Sequence, residues 1–181
     1  MKYSIACLLD GPVAEYQQQL IREIADRFDL RFTQQQAIPP HFTLKYAFET
    51  DDIGTVERIL SQFCAAHAQK AVEVGGFGQF PPDVAFLKVQ LSPAAQSLFE
   101  EFLEELRQIP WMPWSPYDGE DLQFHATLAE RCGPKLPEVM EFLQGREKWF
   151  SSWLNNITLF VQTGVAGDMT QWSIHKRFPL A

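Results

Sequence analysis

The feature that most limits what this chain can become is a change of hydrophobic period that occurs twice in the same order. Residues 2–9 alternate, with Tyr3, Ile5, Cys7 and Leu9 on one face, as a half-buried strand does. Gly11-Pro12 then opens a helix carrying Val13, Tyr16, Leu20, Ile24 and Phe28 at helical spacing. Pro39-Pro40 halts the chain before a strand over 41–48. A helix from residue 53 (Ile53, Val56, Leu60, Phe63, Cys64) and a short strand over 71–75, ending at Gly75-Gly76, close the first round. The second round starts with a strand over 84–91, on which Ala85, Leu87, Val89 and Leu91 share a face. Ser92-Pro93 places an N-cap and a first-turn proline ahead of a helix with Leu98, Phe102, Leu106 and Ile109. An aromatic, proline-containing loop over 110–120 leads to a strand over 123–129. A helix follows with Leu136, Val139, Met140 and Leu143, and then strands over 157–163 and 170–178. The expected fold class is α+β: a bilobal, pseudo-symmetric duplication with an antiparallel sheet and flanking helices in each lobe and a cleft between them. Residues 1–181 are expected to form a single bilobal domain.

Each round carries the same four-residue pattern on its second strand. His41-Phe42-Thr43-Leu44 and His125-Ala126-Thr127-Leu128 both read H-x-T-L. From Tyr3 to His41 is 38 positions (41 − 3), and from Ala85 to His125 is 40 (125 − 85), so the two sit at matching places. On a strand, residues two apart share a face ~6.5–7 Å from one another. Each strand therefore buries an apolar face (Phe42, Leu44, Tyr46 and Phe48; Phe124, Ala126 and Leu128) and presents an imidazole beside a hydroxyl. Cleavage of a phosphodiester needs a base for the nucleophile and an acid for the leaving oxygen. Two histidines supply both near neutral pH. His41 and His125 are the candidate catalytic pair. Thr43 and Thr127 are candidate phosphate-binding residues that donate to the non-bridging oxygens. A lone H-x-T-L means little; two copies at equivalent places of a duplication carry the argument.

Composition narrows the setting. At 46% hydrophobic, with fifteen Phe, five Trp and four Tyr, the chain can build a core without disulfide staples. Cys7, Cys64 and Cys132 are odd in number and form no CxxC pair. Cys7 and Cys64 fall on apolar faces of the expected elements and read as buried free thiols in a reducing compartment, so the expected location is the cytoplasm. Met1 to Pro12 lack a secretory signal pattern, and no apolar run is long enough for a bilayer, so no membrane partner is expected. A net charge of −8 argues against duplex DNA and leaves room for a nucleotide or RNA end held by a few local groups. With four histidines and no H-x-x-x-H or H-E-x-x-H, a histidine metal site is not expected, and no cofactor is called for.

The paired motifs, with Ile38-Pro39-Pro40 ahead of the first, resemble the signature of the two-histidine (2H) phosphoesterase superfamily. Within it the chain is most similar to the bacterial and archaeal RNA 2′,3′-cyclic phosphodiesterase / 2′-5′ RNA ligase-like group. The resemblance covers essentially the whole chain. It implies a bilobal fold whose central cleft gathers His41, Thr43, His125 and Thr127 on a phosphate. It further implies a metal-independent phosphodiesterase acting on the 2′,3′-cyclic phosphate of a nucleotide or RNA end, in a chain expected to be monomeric. Members often have proline before the second histidine; here Phe124 stands there. Two variants of the chemistry remain open: ATP-independent 2′-5′ RNA ligation, since no G-x-x-x-x-G-K-[ST] loop exists, and cleavage of 2′-5′ linkages. A nucleotide or RNA-end binding module without turnover is the alternative of a different class.

Further candidates surround the motifs. By strand parity Lys45 follows Thr43 on the site face, and Arg131 does the same after Thr127 if the strand runs that far. Both are candidate substrate-binding cations. Phe77, Phe80, Trp111, Trp114 and Tyr117 could stack a base or close the core. His67 reads as a packing or capping residue, and His175 as a structural or surface one.

Overall fold

The computed structural model describes residues 1–119, 122–166 and 169–181. The end of the aromatic loop expected over 110–120 therefore lies outside the described residues. In chain order the elements are β1 (Lys2–Leu8), α1 (Pro12–Phe28), α2 (Phe32–Gln36), β2 (His41–Glu49), α3 (Ile53–Ala66), β3 (Lys70–Phe80), β4 (Val84–Leu91), α4 (Pro93–Arg107), β5 (His125–Ala129), α5 (Leu136–Leu143), β6 (Trp149–Leu154), β7 (Asn156–Ala166) and β8 (Met169–Pro179). Local signals set the helix starts. Pro12 and Pro93 occupy first-turn positions, and Ser92 Oγ accepts from the Ala95 amide at 3.2 Å.

The strands form two antiparallel sheets with matching orders, β2-β1-β7-β8 and β5-β4-β3-β6. This is the bilobal α+β fold expected from the duplicated pattern, with one change in how sequence halves map onto lobes. β3 leaves the first half and pairs with β4, because only residues 81–83 separate them and antiparallel neighbours joined so tightly form a hairpin. The first lobe takes β7 and β8 in its place, β7 lying against β1.

Three further differences have local causes. β3 does not stop at Gly75-Gly76 but runs through them to Phe80, with a register shift between Gly75 and Phe77 and φ of 57° at Gly76. The glycines mark a bulge rather than an end. A Cβ on Gly75 would lie 2.1 Å from the Lys148 carbonyl, so the residue must be small where β6 passes. β6 is absent from the sequence pattern: Trp149, Ser151 and Trp153 are exposed and give no apolar alternation. So is α2, a five-residue helix with no buried residues.

One continuous hydrophobic cluster joins the lobes. It takes Phe42 and Leu44 from β2, Ala126 and Leu128 from β5, and the inward stripes of α1, α3, α4 and α5, including Leu20, Leu60, Leu98 and Val139. Full burial of a Leu or Phe side chain contributes about 1.5–3 kcal/mol. Phe124 is a wedge at the junction, with its ring edge-on to Phe42 at 6.0 Å and to Phe99 at 4.8 Å. β2 and β5 are each the outer strand of their sheets and lie side by side, with their apolar faces in the shared core. Among the described residues no helix is long and apolar enough to cross a membrane.

Candidate active site

Because β2 and β5 bury their apolar residues, both histidine–threonine faces turn outward into the space between the lobes. His41, Thr43, His125 and Thr127 all line one cavity of about 270 Å³. The two imidazoles are held alike. His41 Nδ1 lies 2.8 Å from the Pro39 carbonyl, and His125 Nδ1 lies 2.8 Å from the Gln123 carbonyl, each two residues back. A carbonyl oxygen only accepts, so each Nδ1 carries the hydrogen. Each Nε2 is left to bind a proton or give one up. Aromatic rings hold the imidazoles in place: Phe160 at 5.6 Å from His41, and Phe80 and Phe86 at 5.0 and 5.1 Å from His125.

The electrostatics make both histidines poor proton holders. Burial pushes the pKa of His41 below the ordinary histidine value, partly opposed by the Pro39 hydrogen bond. Positive charge on His125 lowers it further. Burial also lowers His125, against the Gln123 hydrogen bond. His41 therefore feels the charge of His125, and an anion in the cleft would favour protonation of either.

The two cations expected by parity are not in this cavity. Ala6 pairs with Thr43 but Ile5 pairs with Lys45, so Leu44 is an extra residue and β2 bulges there. The bulge reverses parity and turns Lys45 to the side of Ile5, where it is 1% exposed and its Nζ lies 2.9 Å from Asp118 Oδ2. Asp118 also accepts from the Tyr46 and Ser115 amides, each at 2.9 Å, and from Ser115 Oγ at 2.8 Å. Burial raises the pKa of that carboxyl, but the Ser115 amide, the Lys45 ammonium and the Tyr46 amide bring it below the usual range. Lys45 is thus a structural cation anchoring the aromatic loop, with Trp114 over its ammonium at 5.0 Å. Arg131 leaves the face of Thr127 for a different reason. β5 ends at Ala129, and Arg131 takes φ of 58°, which breaks the alternation. Its guanidinium lies over the Phe32 ring at 3.9 Å and lines a neighbouring cavity with Asp29, Phe32 and Gln35.

Tyr46, Glu130 and Gln17 line the cavity without being site candidates in the sequence. Tyr46 is expected there in the core; the β2 bulge brings it and Ala47 to the cleft beside Ser4. Among the described residues Glu130 is the only acidic side chain lining the cavity, and no lysine or arginine joins it there. Burial raises its pKa, with Arg131 pulling the other way. Gln17 of α1 is 3% exposed and donates Nε2–H to the Thr127 carbonyl at 3.0 Å, across from lobe to lobe. Its signal is present in the sequence: a polar residue at helical spacing among Val13, Leu20 and Ile24.

The remaining candidates divide. Phe80 supports His125, and Tyr117 stands edge-on to Tyr46 at 6.2 Å. Tyr46, Phe80, Pro81 and Tyr117 line a second cavity of about 710 Å³, and Tyr46 lines the first as well. Phe77 packs against the core, and Trp111 is exposed. His67 bonds the Phe63 carbonyl through Nδ1 at 2.8 Å at the end of α3, and His175 Nε2 lies 2.7 Å from Glu57; neither lines the cleft. Among the described residues no group of three or more His, Cys, Asp or Glu is placed to hold a metal ion.

Duplicated sheets with one H-x-T-L strand each, meeting at a shared cavity, define the two-histidine phosphoesterase class. The chain belongs to the 2′-5′ RNA ligase superfamily, whose sequence profile it matches over residues 12–166. The fold is similar to that of E. coli LigT complexed with 3′-AMP, at 14% identity and a TM-score of 0.64, covering 99% of this chain and 97% of LigT. It is also similar to TT0787 of Thermus thermophilus, at 18% identity and a TM-score of 0.60, covering 99% and 98%. No curated protein sequence matches the chain.

Proposed function

We propose that the chain is a metal-independent phosphodiesterase that opens 2′,3′-cyclic phosphates of nucleotides or RNA ends, with His41 and His125 as acid and base. The observation that carries this reading is the matched tethering of the two rings. Each Nδ1–H is committed to a backbone carbonyl, and each ring is left with one reactive nitrogen. Water attacks phosphorus and passes a proton to one Nε2. The bond to one ribose oxygen breaks, and that oxygen takes a proton from the other Nε2–H. Thr43 and Thr127 donate to the non-bridging oxygens, and the aromatic cavity reached past Tyr46 has room for a base. Since no lysine or arginine among the described residues lines the cavity, the charge that meets the phosphate is the proton on a histidine.

The family profile keeps a second reading in view: a ribose hydroxyl in place of water would give a 2′-5′ linkage from the same intermediate geometry. The test is turnover of the four nucleoside 2′,3′-cyclic monophosphates in EDTA, with product isomers identified. Hydrolysis that survives EDTA is expected. Activity that appears only on adding a divalent metal overturns the mechanism.

A further inference from the structure

The second cavity is built on the residues that hold His125. Phe80 sets its ring 5.0 Å from the His125 ring, nearly perpendicular to it, and also lines that cavity. Gln123 lines it too, and the Gln123 carbonyl lies 2.8 Å from His125 Nδ1. His41 has no such link. Its tether, Pro39, and the ring packed on it, Phe160, are not among the described residues that line the second cavity. An occupant of this cavity therefore touches two supports of one imidazole and neither support of the other.

The walls say what the occupant is. Tyr46, Phe80 and Tyr117 supply rings, and Pro81 and Pro116 supply flat apolar surface. Among the described residues Asp118 is the only charged one lining the cavity, and Lys45 Nζ at 2.9 Å balances it. The same carboxylate also accepts from the Tyr46 and Ser115 amides, so it is not free to bind an amine. A neutral planar ring suits these walls better than a second phosphate, and a nucleobase is such a ring. In a nucleoside 2′,3′-cyclic phosphate the base stands one sugar away from the phosphorus. Tyr46 lines both cavities, so the two are neighbours on that scale.

We propose that a nucleobase in the second cavity fixes His125 for catalysis, with Phe80 as the positioning residue between them. This rests on the hydrolytic reading above and deepens it: the base then raises the rate of turnover as well as the affinity. The supports of His125 differ in freedom. Phe86, 5.1 Å from the imidazole, is fully buried. Phe80 is half-buried at the end of β3, and Gln123 is exposed two residues before β5. A base stacked against Phe80 takes away its room to move, and the imidazole beside it loses the same freedom. Binding of a part of the substrate that does not react thus orients a group that does.

The experiment compares 2′,3′-cyclic AMP with methyl riboside 2,3-cyclic phosphate, the same sugar without a base, reading kcat and KM separately. Wild type should show a kcat about tenfold higher on the nucleotide and a KM lower by about tenfold, the worth of one stacked base. In Phe80→Leu the kcat advantage should fall to about one, while the base still lowers KM through Tyr46 and Tyr117. Phe80→Tyr keeps the ring and should keep the advantage. In Tyr117→Ala the KM advantage should shrink and the kcat advantage should stay. Each ratio compares two substrates on one sample, so the folded fraction of a variant cancels. Equal kcat on the two substrates in wild type overturns the inference and leaves the cavity a binding site alone. A kcat advantage that survives Phe80→Leu overturns the role of Phe80. Turnover of the base-free substrate keeps the hydrolytic reading whatever the ratios show; wild-type failure on both substrates overturns that reading and this inference with it.

Discussion

The two half-sites begin alike and end differently. From the tether two residues back to the threonine, β2 and β5 repeat each other: a carbonyl on Nδ1, an imidazole, a buried residue, a hydroxyl. Beyond the threonine they part. β2 bulges at Leu44, buries Lys45 against Asp118 and brings Tyr46 to the cleft. β5 stops at Ala129, sends Arg131 over Phe32 and brings Glu130 instead. The part that repeats is the segment that lines the cleft. The segments just past it became a loop anchor on one side and a carboxyl on the other. A cation close to an H-x-T-L segment in sequence is therefore not close to the histidine cleft in space unless strand parity holds between them.

The largest effect should come from the part that is alike. His41→Ala and His125→Ala should each reduce kcat on a cyclic nucleotide by about 10²–10⁴-fold. Steady-state rates of the double variant should fall short of the product of the two losses, since acid and base act as one unit. An effect confined to one histidine would break the symmetry claimed here.

The part that differs should show next, in stability. Lys45→Met leaves Asp118 buried without its cation and should cost about 3–5 kcal/mol in urea unfolding. Arg131→Met, at an exposed position, should cost less than Lys45→Met. Equal costs would undo the contrast between a buried cation and an exposed one.

The smallest effect sharpens the difference between the rings themselves. Both imidazoles are held below the ordinary histidine value, and His41 is lowered in addition by the charge of His125. In NMR titrations of the ring protons, His125→Ala should move the His41 midpoint upward. The sign for stability follows from the same shifts. Each depressed histidine binds its proton more readily in the unfolded chain. Its contribution is thus complete above the unfolded value near ~6.5 and is lost as pH falls through the lowered folded values. An unmoved His41 midpoint would show that the two rings do not sense each other.

The α+β class, most strand and helix positions, and the two H-x-T-L segments are legible in the order of residues. They depend on period, caps and breakers, which act over a few residues. Glu130 has no local signal. Gln17 has one, a polar residue on an apolar helix face, but nothing nearby says that its partner is a carbonyl on β5, 110 positions away. The exchange of strands between halves, the placement of β6, and the fates of Lys45 and Arg131 belong to the tertiary structure alone. A one-residue bulge reverses the side chains after it until a second register shift restores parity, as happens between Lys45 and Phe48, and a single left-handed residue redirects a chain. Whether either occurs depends on what the neighbouring strand and loop offer: Asp118 for Lys45, and Phe32 for Arg131.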